Sequence, residues 1–303
     1  MNFSKAGRKR MGNGGSEMYS FSQNMYREDI GQWMSPYWCA KRLLQELNII
    51  EVPIQPREIA RQLGIWVWER EIEGGYDGYL MRVGNTFGIM VNRAIKSEAR
   101  KNFTIAHELG HYEFDRHKKL QRVCLIKESD SLYENKQEEQ QANQFAVELL
   151  MPREIFIADM NKQEEVGLIA IDALAKKYCT SLTSTAIRYA RFSPHTCAVV
   201  ISEEGRIKYF AYSKAFSADE NCYLIKDMLL HIGSYARRLF DNNLVDEEFY
   251  GEVPISYWCK SNSDGMLFEQ SRSLPRFKQV LSFIWLNRKM QHNAAEAQQL
   301  MLF

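Results

Sequence analysis

The chain has 303 residues, and its 39 basic and 38 acidic side chains leave a net charge of +1, which excludes a global field that would draw it to nucleic acid or an anionic membrane. A single core rarely serves more than about 250 residues, so more than one domain is expected. The six cysteines, Cys39, Cys124, Cys179, Cys197, Cys222 and Cys259, are widely spaced without a C-x-x-C, which argues against a disulfide framework or a thiolate zinc ribbon and favours a reducing cytoplasm.

Residues 1–30 are rich in Gly, Ser, Asn and Arg, a composition that rarely builds a core, and are expected to form a disordered tail, with a basic DNA-touching arm as the alternative. No apolar stretch follows the basic residues of that tail and no later run reaches bilayer-spanning length, so neither export nor membrane insertion is expected. From Pro36, "SPYWCAKRLLQELNI" and "QPREIARQLGI" have helical spacing of apolar residues, the second with Pro56 near its start and Gly64 at its end. "IWVWERE", "GYDGYLMRV" and "TFGIMVN" then alternate between Gly-rich turns, which predicts a small antiparallel sheet.

"NFTIAHELGHYEFDRH" follows on a helix that is apolar on more than one side, as for a helix enclosed by its domain. Residues four apart on a helix lie one above the other, so His107 and His111 can present nitrogens to one ion while Glu108 sits at the rim. A catalytic zinc keeps three protein ligands and an exchangeable water, so one more ligand is required. The helix "QEEQQANQFAVELLMPREIF" offers Glu138 and Glu139 one turn before its apolar stripe, and periodicity does not separate them.

"FTIAHELGHY" followed after about thirty residues by "EQQANQFAVELLMP" resembles the ImmA/IrrE family of metallopeptidases, over roughly residues 36–160. Asn102 stands where that family often has Arg, and Gln141 where an acidic residue is common. The resemblance implies a zincin-like, gluzincin-like fold and a zinc metalloendopeptidase, with His107, His111 and Glu139 as the metal ligands and Glu108 as the catalytic base. Tyr112, His117 and Asn143 are further candidates for contacts to substrate or transition state. The resemblance also implies an enzyme that cleaves a helix-turn-helix repressor and so induces a stress-response or mobile-element regulon. In zincins the strand before the metal-binding helix commonly borders the cleft, which here points to "TFGIMVN".

"GLIAIDALAKKYCTSLTSTAIRYARFS" reads as two helices around "CTS", resembling a helix-turn-helix, with Lys176, Lys177, Arg188 and Arg191 nearby. Helical support for the peptidase is the favoured reading. A DNA-binding regulator that uses residues 166–192 and retains a structural zinc is the alternative. From His195 onward "TCAVVIS", "RIKYFAYS", a helix near 221–240, "VPISYWC", "GMLFEQS" and "QVLSFIWL" predict a strand, strand, helix, strand, strand, strand order that resembles a GAF-like domain. The expected organisation is therefore α+β: a tail over 1–30, a metallopeptidase domain over 31–160, a helical segment over 161–193 and a GAF-like regulatory domain over 194–303.

Overall fold

The computed structural model describes residues 35–84, 86–117, 136–218, 222–243, 246–260 and 265–286, with backbone alone at 83, 115–117 and 136. The tail expected over 1–30 lies outside the described residues. Helix α1 (Pro36–Glu46) begins where the Ser35 hydroxyl accepts the Trp38 N–H at 3.3 Å and Pro36 opens the first turn, where a missing N–H costs nothing. Helix α2 (Pro56–Gln62) also starts on proline, and strands β1 (Trp66–Arg70), β2 (Gly78–Val83) and β3 (Thr86–Asn92) follow.

The sheet differs from expectation. Its order is β1-β3-β2, with β2 antiparallel to β3 through the turn at Gly84 but β1 parallel to β3, so it is mixed and β3 is its central strand. Alternation in sequence shows which face a strand buries. It carries no information on the direction of a neighbour reached through a long connection.

Against one face of this sheet lies α3 (Glu98–His117), which packs in turn on α4 (Lys136–Leu150). Ile89, Val91, Ile105, Leu109, Phe145 and Leu149 are fully or almost fully buried between these layers, together with Leu43 from α1. Truncating one such residue to alanine costs roughly 2–5 kcal/mol, so this core holds α3 and α4 in register.

Pro152 ends α4, and α5 (Arg153–Met160), α6 (Leu168–Tyr178) and α7 (Leu182–Phe192) follow. Cys179 stops α6 in a left-handed conformation, φ 52°, and the Ser181 hydroxyl caps α7 by accepting the Ser184 N–H. These three helices share a core with a second sheet: Phe156, Ile171, Leu174 and Tyr189 pack on Val199, Ile201, Leu281 and Phe283.

That sheet comprises β4 (Cys197–Glu203), β5 (Arg206–Tyr212), β6 (Glu248–Pro254), β7 (Met266–Leu274) and β8 (Gln279–Trp285). Its order is β5-β4-β8-β7-β6 with every pair antiparallel, and its other face is covered by α9 (Tyr235–Asp241), with a short α8 (Lys214–Ser217) at the end of β5. The helix expected near 221–240 is thus confined to its last turns. "VPISYWC" is not a strand beyond Pro254 but a 3-10 turn over Ile255–Tyr257, which carries Trp258 inward so that its indole N–H donates to the buried Glu269 at 2.8 Å. Cys222 and Cys259 form a disulfide with 5.2 Å between their Cα atoms, against the reduced state expected from their spacing; the bridge between Tyr223 and Lys260 aligns the two segments. Among the described residues no helix is long and apolar enough to cross a membrane.

Candidate metal centre

The site begins with a close approach of two helices. Gly110 on α3 faces Ala142 on α4, and a Cβ at Gly110 would lie only 3.0 Å from the Ala142 Cα and 3.2 Å from the Phe145 ring. Glycine therefore lets the helices close, and Glu139, one turn before Ala142, is carried up to the histidines of α3.

There the donor atoms form a small triangle. His107 Nε2 and His111 Nε2 are 3.1 Å apart. Glu139 spans them, with Oε2 at 3.2 Å from His107 Nε2 and Oε1 at 3.3 Å from His111 Nε2. A tetrahedral zinc with bonds of ~2.0–2.1 Å separates its donors by about 3.3 Å. The two nitrogens and one carboxylate therefore fit such an ion in both spacing and donor type, and they form a group able to hold a metal. Of the two carboxylates that periodicity left open, Glu139 is the one that reaches both rings. Hydrogen bonds from His107 and His111 hold its carboxyl well below the usual carboxylate range, so the negative charge is present where a cation would sit.

Glu108 is set differently. It is 7% exposed, and burial raises its carboxyl pKa, while His111, His107 and a hydrogen bond from the Leu80 backbone oppose the rise. A buried carboxylate with a raised pKa beside a cation site is suited to accept and return a proton. Leu80 belongs to β2, an edge strand of the sheet, whereas β3 is paired on both sides. The strand that meets the site is therefore β2 and not "TFGIMVN", because a central strand has no free backbone groups to offer a peptide. Gly78 makes this contact close: a Cβ there would come 2.6 Å from the Thr104 side chain on α3.

The remaining candidates separate by location. Asn143 Oδ1 lies 3.0 Å from His107 Nδ1, behind the ring and away from Glu139. Tyr112 packs edge-on against Phe87 at 5.0 Å between centroids, as a partly buried member of the core. His117 ends α3, and its side chain lies outside the described residues. Sequence reasoning missed the roles of Gly110 and of the Leu80 backbone. The glycine inside H-E-L-G-H was the available signal for the first, since a helix interior tolerates glycine at a cost that close packing can offset.

Residues 60–190 match the family model Peptidase_M78, the IrrE N-terminal-like domain. Among curated proteins no relative matches the chain. A solved structure of a Mycobacterium tuberculosis transcriptional regulator is similar in fold, with a TM-score of 0.54 at 16% identity, over 92% of this chain and 96% of that one.

Proposed function

We propose that this chain, which belongs to the ImmA/IrrE metallopeptidase family through its residues 60–190, is a zinc-dependent endopeptidase that cleaves a helix-turn-helix repressor in the cytoplasm. The observation that carries this reading is the His107, His111 and Glu139 triangle with the buried Glu108 carboxylate next to it. His107, His111 and Glu139 would hold the ion. When bound, zinc would supply Lewis acidity toward a water and the scissile carbonyl. Glu108 takes the proton of the attacking water and passes it to the leaving amine, a task that suits a carboxyl whose pKa burial has raised. The free edge of β2 beside Glu108 offers backbone groups to an extended substrate, which would lie along it as an added strand.

The repressor as substrate and a stress-response or mobile-element regulon as output follow from family membership, and the fold shared with a transcriptional regulator supports a place in gene control. In this reading residues 194–303 form a GAF-like regulatory domain.

The rival reading, a DNA-binding regulator with a structural zinc, meets two obstacles. A structural site has no use for an unliganded carboxylate such as Glu108. The second helix of the pair, α7, buries Thr185, Ala186, Tyr189 and Ala190, and Arg188 is spent on a two-pronged ion pair with Glu148 at 2.7 and 3.0 Å. That face is closed to a DNA groove.

The test is the purified protein incubated with the repressor encoded nearest its gene, with and without chelator, read on a gel. Cleavage that stops on chelation and returns with zinc supports the reading. Intact repressor under all conditions, alongside tight DNA binding, would replace it with the rival.

A further inference from the structure

The strand that meets Glu108 also carries a charged group that proton transfer does not use. Asp77 accepts the Asn92 N–H at 2.7 Å, one step before Gly78 pairs with Val91, so Asp77 and Asn92 form a hydrogen-bonded pair. Bonded and non-bonded pairs alternate along an antiparallel ladder. Tyr79 and Met81 therefore turn their backbone groups to β3, and Gly78, Leu80 and Arg82 turn theirs to the free edge. The hydrogen bond from the Leu80 backbone to Glu108 agrees with that parity.

Side chains alternate with the same period, so Gly78, Leu80 and Arg82 also share one face of the sheet. That face meets α3 step by step. A Cβ at Gly78 would come 2.6 Å from Thr104, and Leu80 bonds Glu108. The Arg82 guanidinium lies 5.5 Å from the centre of the ring of its cross-strand partner Phe87, which packs on Tyr112 at 5.0 Å. Thr104, Glu108 and Tyr112 lie four apart on the helix, so strand and helix run side by side. Arg82 thus stands at the level of Tyr112, about 7 Å along β2 from Leu80. It is half-buried, and its Nε donates to the Gly84 carbonyl at 2.8 Å, which fixes the side chain. Among the described residues no carboxylate lies within ion-pair distance of this guanidinium.

A peptide added as a strand to the free edge places the residue opposite Arg82 on the same face, with the two Cβ atoms about 5 Å apart. An aspartate or glutamate there gains a charge-assisted hydrogen bond, and a lysine or arginine meets a like charge. We infer that Arg82 is a specificity-determining residue that selects an acidic side chain in the substrate, about two residues from the bond cut beside Glu108. This rests on the metallopeptidase reading and narrows its substrate to an extended segment with an acid at that position.

The test gives the purified, zinc-loaded full-length protein a library of decapeptides randomised at every position and reads the cleavage sites by mass spectrometry. Asp and Glu should be enriched about tenfold over Asn and Gln at one position about two residues from the cut, the effect of one charge-assisted hydrogen bond. Arg82→Glu should exchange that preference for Lys and Arg at the same position, and Arg82→Lys should keep it, with zinc content unchanged in both. A role confined to holding the hairpin through Gly84 would lower the Tm of Arg82→Glu and leave the preference as it is. The inference alone is overturned if the wild type cleaves without an acidic preference, or if Arg82→Glu retains it. Absence of zinc-dependent cleavage of any peptide would remove the metallopeptidase reading and this inference with it.

Discussion

The amide oxygen of Asn143 stands 3.0 Å from Nδ1 of His107, on the ring nitrogen opposite the one that meets Glu139 at 3.2 Å. An amide oxygen only accepts, so Nδ1 is the donor in this pair, which leaves Nε2, beside Glu139 and His111, as the nitrogen to be offered to a cation. Asn143 thus orients a ring that, in the proposed function, would hold the ion. Asn143→Ala should weaken zinc binding by roughly 10–100-fold in competition with a chromogenic chelator, while Asn143→Asp, which keeps an acceptor, should bind close to wild type. Unaltered affinity in the alanine variant would show that packing alone orients the ring.

In the proposed mechanism Glu108 moves protons and does not hold the ion. Glu108→Gln should retain its zinc content and lower the cleavage rate by about 10²–10⁴-fold, since it preserves the shape of the side chain and removes its basicity. Zinc is read by atomic absorption and cleavage on a gel; a fully active glutamine variant would remove Glu108 from the mechanism.

Gly110→Ala tests the helix contact without touching a polar group. The new methyl, 3.0 Å from backbone at Ala142, has to push α4 away from α3 and carry Glu139 with it. Zinc affinity should fall while far-UV circular dichroism keeps its helical signal, and a Tm lower by several degrees is expected from overpacking. If affinity holds while the Tm falls, the spacing of the two helices does not govern the position of Glu139.

Asp159 links α5 to α6, accepting the Tyr178 hydroxyl at 2.8 Å and pairing with Lys177 at 2.7 Å. Burial alone would raise its carboxyl pKa, but the hydrogen bonds from Lys177 and Tyr178 outweigh that and hold it below the ordinary value. A depressed folded pKa contributes stability above the unfolded value of ~3.9, and this is lost as pH falls through the folded value below it. Asp159→Asn should therefore lower the Tm by roughly 3 °C near neutral pH, with the gap to wild type narrowing below about pH 4. A gap that widens in acid would reverse the assignment.

The facing pair of His107 and His111 was legible in the sequence because residues four apart on a helix are neighbours whatever else the chain does. The apolar stripe that buries Phe145, Ala146 and Leu149 on α4 was legible for the same reason, as were the hairpin of β2 and β3 and the break between α6 and α7 at Cys179. All of these depend on local periodicity or on the backbone preference of a turn.

Other features depend on where one element comes to rest against another. Helical period placed both Glu138 and Glu139 near the start of α4, and only the depth to which Gly110 lets the two helices close carries Glu139 to the histidines. Strand alternation is blind to pairing partners, so the parallel β1, the central position of β3 and the contact of Glu108 with the β2 edge were decided by packing. The Cys222–Cys259 bond likewise joins segments tens of residues apart. Local sequence determines which faces are apolar and which polar groups share a helix turn; long-range contacts decide which of those groups meet, because they arise only when whole faces are buried together.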